Sequence, residues 1–228
     1  MGRLTSVNRG YGRVTSLEYN NRSWLTKLTR PNPGGAAPVI QYGYNARGDR
    51  SSVTDALGKV TSTAFDNEQR ATSTTFPDPD GAGPLASPVV SVGYDLLNRV
   101  TSRTNPLGGV TSFTFDSFGR VLTQTDPDPD GGGPLAAGVT TYEYSAAGLS
   151  KITDALTRVT TFVRDGQGRV TSVTDAQGNV TSYVYDYYSN LLSQTDPDPD
   201  GAGPLARPVT TFSYDIANRL TSDRKSVV

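Results

Sequence analysis

The sequence contains no cysteine and no histidine in its 228 residues. Without cysteine the chain cannot form disulfides or thiolate metal sites. Cysteine usage therefore does not indicate whether the protein works in an oxidising or a reducing compartment. Without histidine it lacks the commonest general base and the commonest metal ligand of proteins. Both absences argue against an enzyme, and we assign no catalytic, cofactor-binding or metal-binding residue and no cofactor.

Charge imbalance and long apolar runs are also lacking. The formal net charge is −1, so the charge does not point to nucleic acid or an anionic membrane as a partner. No apolar stretch approaches the roughly 18–20 residues that span a bilayer. Hydrophobic residues make up only 35% of the chain, which is low for a globule with a large core.

What the sequence does contain is a repeat. One clear copy runs over residues 168–186 and ends in Tyr185-Asp186, and the same frame returns at residues 98–116 and 50–66. The residues that close successive copies are Asn20, Asn45, Asp66, Asp95, Asp116, Ser145, Asp165, Asp186 and Asp215. Most steps between them are 21 or 29 residues, so long repeats carry an eight-residue insertion. Repeats of this length predict an array in which each copy relies on its neighbours for a core.

The pattern inside each repeat is that of a β-hairpin. Side chains from Val180 to Tyr185 alternate between two faces and are rich in strand-forming types. Short turns join the strands, both within a repeat (residues 175–178) and between repeats (residues 95–98). Both kinds end in Gly or Asn, which favour a left-handed backbone, and this predicts a type I turn followed by a bulge. Such short connections make successive strands antiparallel neighbours.

We therefore predict an all-β fold of tandem antiparallel β-hairpins in a spiralling single-layer sheet, a solenoid-like or shell-like array. Residues 1–228 are expected to form one continuous array of about nine repeats, with no separate domain. Both ends of the sequence fall inside a repeat, which leads us to expect a segment of a longer protein.

Aromatic residues recur at two slots on one face of the strand that closes each repeat. These slots hold Tyr183 and Tyr185, Phe113 and Phe115, Tyr142 and Tyr144, Tyr42 and Tyr44, and Phe212 and Tyr214. One interpretation is a stacking platform for sugars or bases. The other, which we favour, is that the rings pack between neighbouring repeats through cross-strand aromatic pairs of about 0.2–1 kcal/mol each.

An acid and an arginine flank many of the turns between repeats. The pairs are Asp95 and Arg99, Asp116 and Arg120, Asp165 and Arg169, and Asp215 and Arg219. A catalytic role for these acids would need a partner base or a cleft, and the sequence shows neither. We predict that each pair closes and caps its turn and adds little stability where it is exposed.

The insertion of the long repeats is acidic and rich in proline. Residues 126–131 place three aspartates at alternate positions before a glycine, and residues 196–201 repeat this pattern. The pattern matches the first half of an EF-hand calcium loop, but the glutamate expected at position twelve is Ala137 or Arg207, and Phe76 replaces the leading aspartate of the first copy. An incomplete calcium site and a stiff, proline-set solvent loop remain the two alternatives, and we favour the loop.

The aromatic–aspartate pairs, each followed by a turn and mostly by an arginine, resemble the tyrosine–aspartate repeats of the RHS family. The pairs that carry the resemblance are Tyr94-Asp95, Phe115-Asp116, Tyr185-Asp186 and Tyr214-Asp215. Ser145, Arg164 and Asn190 depart from the pattern without breaking its frame. The resemblance covers nearly the whole chain and implies hairpins wound into a hollow shell. Such shells enclose a cytotoxic domain in bacterial toxin complexes and polymorphic toxins, and form part of an adhesion ectodomain in teneurins.

The repeats and the resemblance predict a non-catalytic structural protein. It is expected to be a segment of an extracellular or toxin-associated RHS shell, or a subunit of a self-assembling fibre, secreted or at the surface of a bacterial-like cell. The alternative is a carbohydrate- or calcium-binding adhesion module. Expected partners are copies of the chain or the missing continuation of its array, an encapsulated toxin domain, or surface glycans, with no nucleic acid and no membrane span. The self-cleaving aspartyl segment of shell-forming relatives has no counterpart in this sequence, so autoproteolysis is not implied.

Overall fold

The computed structural model of the chain describes residues 3–8, 10, 13–32, 34–81, 83–201, 203 and 205–226. Within these residues every regular element is a strand, which confirms the all-β prediction. The strands are β1 (Ser6–Asn8), β2 (Val14–Tyr19), β3 (Leu25–Thr29), β4 (Val39–Gly43), β5 (Ser52–Thr54), β6 (Val60–Phe65), β7 (Ala71–Thr75), β8 (Val89–Tyr94), β9 (Val100–Thr104), β10 (Val110–Phe115), β11 (Val121–Thr125), β12 (Val139–Ser145), β13 (Gly148–Thr153), β14 (Val159–Arg164), β15 (Val170–Thr174), β16 (Val180–Tyr185), β17 (Leu191–Thr195), β18 (Val209–Tyr214) and β19 (Leu220–Ser226). No helical segment in this part of the chain has the length and hydropathy of a membrane span.

The strands belong to one antiparallel sheet whose order follows the chain. Ser182 of β16, for example, lies opposite Ser172 of β15 on one side and Thr195 of β17 on the other. None of the described residues is fully buried, so the sheet has no second layer and its inward side chains are only half-buried. Tandem hairpins in a single layer are thus confirmed.

The chain divides into two compact bodies, Met1–Thr111 and Ser112–Val228. In each body alternate connections lie at opposite ends of the strands, because each strand reverses direction. We call the end with the turns between repeats the turn side, and the end with the turns within repeats and the insertions the loop side. Turn-side connections start at Asn20, Asn45, Asp66 and Asp95 in the first body and at Asp116, Ser145, Asp165, Asp186 and Asp215 in the second.

Both kinds of short turn close with the same backbone hydrogen bonds. On the turn side, Asn98 N–H donates to Asp95 O at 3.2 Å and Asp95 N–H to Arg99 O at 3.0 Å. On the loop side, Gly178 and Asp175 make the equivalent bonds at 3.0 and 2.9 Å. The fourth residue is left-handed in each turn, with φ of 63° at Asn98 and 85° at Gly178. The predicted turn chemistry is therefore confirmed.

The long insertions sit on the loop side and close like the short turns. Asp126 N–H donates to Gly138 O at 2.8 Å, where the short turn joins Asp175 N to Asn179 O at 2.9 Å. The insertion therefore widens one hairpin connection and leaves the flanking strand pairing intact, as the solvent-loop interpretation predicts.

Candidate functional site

The turn side carries the recurrent chemical groups of the chain, beginning with the aromatic residue that ends each closing strand. A register shift just before this residue, as between Gly93 and Tyr94, places the ring opposite the aliphatic residue that opens the next strand. Tyr94 thus pairs with Val100 and Tyr185 with Leu191. The bulge therefore creates an aromatic–aliphatic contact in these turn-side hairpins.

The expected cross-strand pairing of aromatic rings is wrong. Tyr183 lies opposite Gln194, and Phe113 lies opposite Gln124. The slots fall on every second strand, so rings of successive repeats are about 9.6 Å apart, beyond the 4.5–7 Å of a ring pair. The rings are half-buried.

Tyrosine hydroxyls link the two strands of a repeat by donating to backbone carbonyls. The bonds run from Tyr44 to Leu25 O at 2.8 Å, Tyr94 to Ala71 O at 3.0 Å, Tyr144 to Val121 O at 2.9 Å and Tyr214 to Leu191 O at 3.1 Å. Each acceptor is the residue that opens the strand paired with the one that the tyrosine closes, so the bond joins two neighbouring strands. Arg164, which replaces an aromatic residue, keeps this link because its Nε donates to Leu149 O at 3.0 Å.

Each turn-side aspartate caps its own turn. Asp95 Oδ1 accepts the backbone N–H groups of Leu97 at 2.8 Å and Arg99 at 2.9 Å, and Asp95 Oδ2 lies 2.7 Å from Arg99 Nε. The hydrogen bond from the Arg99 backbone is the largest effect on the pKa of the Asp95 carboxyl, which is lowered despite partial desolvation. The predicted pairing is confirmed at Asp116–Arg120, Asp165–Arg169 and Asp215–Arg219, with Nε to Oδ2 distances of 2.6, 2.7 and 2.7 Å.

The arginine of a turn-side pair also reaches the next turn on that side, a contact that the sequence did not predict. Arg70 lies 4.7 Å from the ring centroid of Tyr94, and its Nη1 donates to Asp95 O at 3.0 Å and Asn98 Oδ1 at 2.7 Å. Its Nε remains 2.7 Å from Asp66 Oδ2 of its own turn. We call this three-way contact the arginine clamp, since it joins two successive turns through one guanidinium.

A second clamp is formed by Arg169 in the other body. Its guanidinium lies 4.9 Å from the Tyr185 ring, and Nη1 donates to Asp186 O at 2.7 Å. Arg169 spans a 21-residue step from Asp165 to Asp186, whereas Arg70 spans a 29-residue step from Asp66 to Asp95. The contacts are the same because the extra eight residues lie at the opposite end of the strands.

The aspartates of the insertions bond within and beside their own loop. Asp128 Oδ1 accepts Asp130 N–H at 3.2 Å, and Asp130 Oδ2 accepts Leu135 N–H at 3.0 Å. Asp126 Oδ1 accepts the Gln124 side chain at 2.8 Å. Within the described residues, no three acidic groups converge as metal ligands would. A calcium role for these loops stays a prediction that the fold does not favour.

The acids and arginines on the turn side therefore find their hydrogen-bond and ion-pair partners within the turns. The acids accept backbone amides and a guanidinium, and no buried side-chain nitrogen or oxygen in the described part of the chain lacks a hydrogen-bond partner. Such an arrangement holds successive hairpins in register. It is a structural use of charged groups.

The comparisons with known proteins agree with this fold. A family model for the RHS repeat matches residues 94–130, 144–179 and 164–201. Crystal structures of TcdB2-TccC3-Cdc42 and TcdB2-TccC3 superpose on 94% of this chain with a TM-score of 0.64, at 14% and 15% identity respectively. This chain spans 12% of the length of those chains. A search of curated protein sequences found no match.

Proposed function

Because this chain is built of RHS repeats, we propose that it is a non-catalytic wall element, a segment of a larger RHS shell or the subunit of a fibre. The arginine clamp carries this proposal. It gives the turn side a repeated contact in which the charged groups are hydrogen-bonded to one another. The geometry of this contact is the same in short and long repeats. A wall needs such a contact, because its spacing must hold while individual loops vary.

Residues 1–228 would act as one continuous array within a longer, secreted or surface-exposed protein of a bacterial-like source. One observation supports a segment: the chain spans 12% of the length of similar solved chains. Its partners would be other copies or the continuation of the array, and a toxin domain would be the cargo of the complete shell.

Static light scattering across a concentration series, combined with negative-stain electron microscopy, tests the fibre form. End-to-end growth into filaments is the expected result, because unpaired edges recruit further strands. A monodisperse, folded monomer at high concentration would exclude the fibre. The shell form is tested on the complete parent polypeptide by electron microscopy, and a parent without an enclosed or curved β wall would contradict it.

A further inference from the structure

The loop side of the second body carries a row of exposed leucines. Leu135 and Leu205 lie in the two long insertions, and Leu156 lies in a short turn between these insertions. Their exposed fractions are 59%, 52% and 70% respectively. The backbone N–H of each leucine donates to an aspartate of its own connection, at 3.0, 3.1 and 2.9 Å. Each apolar side chain is therefore displayed from a fixed backbone position, which lowers the entropic cost of binding a partner.

Negative charge surrounds these leucines and is only partly neutralised. The loop-side connections of this body, residues 126–138, 154–158, 175–179 and 196–208, contain eight aspartates and two arginines. Lys225 of β19 adds a third base, with its Nζ 3.1 Å from Asp196 Oδ2. On the turn side of the same body, aspartates and arginines are equal in number, with four of each in the connections and at the strand ends that flank them. The loop side therefore carries an excess of five negative charges that the turn side does not have.

A cavity lies within this acidic and apolar surface. In the second body two short turns, at residues 154–157 and 175–178, follow one another between the insertions. The cavity beside them has a volume of about 390 Å³ and is lined by Ile152, Asp154, Arg158 and Asp175 among others. Asp154 Oδ2 is paired with Arg158 Nε at 2.6 Å, whereas Asp175 has no basic partner within the described residues. Apolar surface from Ile152 beside the Asp175 carboxylate suits the long stem and the ammonium group of a lysine.

We propose that the loop side of the second body docks a cationic amphipathic helix of about 20 residues that belongs to another protein. The two insertions are six strands apart, about 29 Å at 4.8 Å per strand, and a helix covers this distance with about 20 residues. Leu135 and Leu156 belong to connections about 9.6 Å apart, close to the rise of about 10.5 Å over seven helical residues. This docking surface goes beyond the wall function and does not depend on it.

Geometry and charge both favour this occupant over others. An extended peptide binds by pairing along the edge of a sheet, and the loop side presents connections between strands and no such edge. Excess negative charge repels nucleic acid and anionic membranes. Leucines set among aspartates match a helix whose apolar stripe is bordered by lysine or arginine, because the apolar groups bury one another while the opposite charges attract.

The test measures binding of fluorescein-labelled peptides to the purified chain by fluorescence anisotropy at low salt. The probe is a helix-forming peptide of three Leu-Lys-Lys-Leu-Leu-Lys-Leu heptads. One control peptide has glutamate in place of every lysine, and another has the same composition with leucine and lysine alternating, which is the pattern of a strand. The probe is expected to bind with a dissociation constant of about 10 μM or tighter, and both controls about tenfold more weakly or worse. No binding of the probe, or equal binding of either control, would overturn the proposal.

The apolar contribution is tested with Leu156→Ala, which removes an exposed side chain and leaves the backbone hydrogen bonds of its turn in place. Binding of the probe should weaken by about fivefold or more. The matched control is Ile216→Ala, which removes an exposed aliphatic side chain on the turn side of the same body and should bind normally. Equal affinities of the two variants would show that the leucine row is not the docking surface and would refute the proposal.

The ionic contribution is tested with the double variant Asp128→Asn and Asp198→Asn. Each carboxylate accepts the backbone N–H of the residue two positions later, at 3.2 and 3.3 Å, and asparagine keeps this acceptor. Binding should weaken by about tenfold at low salt and differ little from the parent chain at high salt, because salt screens exposed charges. The control double variant, Glu143→Gln with Asp223→Asn, removes two charges from strands of the same body and should bind normally. Unchanged binding by the first variant would refute the charge-directed docking.

Discussion

On the turn side of each body the repeats hold one another through arginine, whereas on the loop side each connection is closed mainly within itself. Arg169 and Arg158 show the difference within one body. Both pair with the aspartate of their own turn, at Nε to Oδ2 distances of 2.7 and 2.6 Å. The Arg169 side chain is 22% exposed because it also packs on Tyr185 and bonds to Asp186, while Arg158 is 64% exposed. Inter-repeat spacing is therefore controlled at one end of the strands, which leaves the other end free to vary in length.

The sharpest test of this difference compares Arg169→Ala with Arg158→Ala. Arg169→Ala should lower the free energy of unfolding by about 2 kcal/mol, because it removes a charged hydrogen bond to a carbonyl and a cation–π contact. Arg158→Ala should change it little, since an exposed ion pair adds little stability. Urea denaturation followed by circular dichroism measures both, and equal losses would contradict a special role for the turn side.

A second test removes one hydroxyl from the link between the two strands of a repeat. Tyr144→Phe should lower the free energy of unfolding by about 1 kcal/mol, because the bond to Val121 O is lost while the ring stays. Tyr142→Phe is the control in the same strand, as its hydroxyl makes no hydrogen bond within the described residues. The same urea titration applies, and a larger loss in Tyr142→Phe than in Tyr144→Phe would refute the bridge.

Exchanging connections between the two sides tests whether length is tolerated at one end alone. Replacing residues 127–137 by Ala-Gln-Gly should keep the fold and raise the free energy of unfolding by at most about 1 kcal/mol, because the loop to be closed is shorter. Placing the same eleven-residue segment between Asp165 and Arg169 should reduce stability, since it separates the two ends of a clamp. Thermal unfolding of both variants decides the matter. Similar behaviour of the two would mean that the sides are equivalent.

The smallest expected difference concerns pH. The pKa values of Asp95 on the turn side and Asp154 on the loop side are both lowered, and for each the largest cause is a backbone N–H four residues later. A carboxyl whose pKa is lower in the folded state contributes stability above its unfolded pKa, near 3.9, and loses it as pH falls through the folded value. Stability should therefore be flat from about pH 7 to 5 and decline below about pH 4.

Variants Asp95→Asn and Asp154→Asn should weaken this acid dependence to a similar degree. Their unfolding is followed by urea titration at a series of pH values. A steeper dependence in either variant than in the parent chain would contradict the capping role of the carboxyl.

Local features of the fold could be predicted directly from residue type and spacing in the sequence. The Asp–x–x–Gly and Asp–x–x–Asn tetrads predicted turns such as 95–98, because a short acidic side chain caps the turn and the last residue accepts a positive φ. The pairing of Asp95 with Arg99 followed for the same reason, since the two lie four residues apart. The placement of the insertions also followed, because they replace a turn within a repeat.

Contacts between successive turns did not follow from the sequence, since they depend on how strands lie side by side. Arg70 and Asp95 are 25 residues apart, and Arg169 and Asp186 are 17 apart, so no single spacing identifies the clamp. The recurrence of aromatic residues led us to predict contacts between rings of successive repeats. That prediction was wrong because an intervening strand separates the rings. An arginine five residues after several of the closing aromatic residues, such as Arg70 after Phe65, was the available signal. The sequence did not show which residues of the next turn this arginine contacts.

By itself, the sequence determined a meander of antiparallel hairpins, because its alternation, short turns and repeated acid–arginine pairs are local properties. The tertiary structure alone decided which groups of one turn meet those of the next turn. Reversal of successive strands brings every second turn to the same end of the sheet, and a long guanidinium side chain at the start of one strand then reaches an aromatic ring and a carbonyl at the end of the neighbouring strand. The physical reason is that hairpin geometry depends on neighbours in sequence, whereas the clamp depends on neighbours across the sheet.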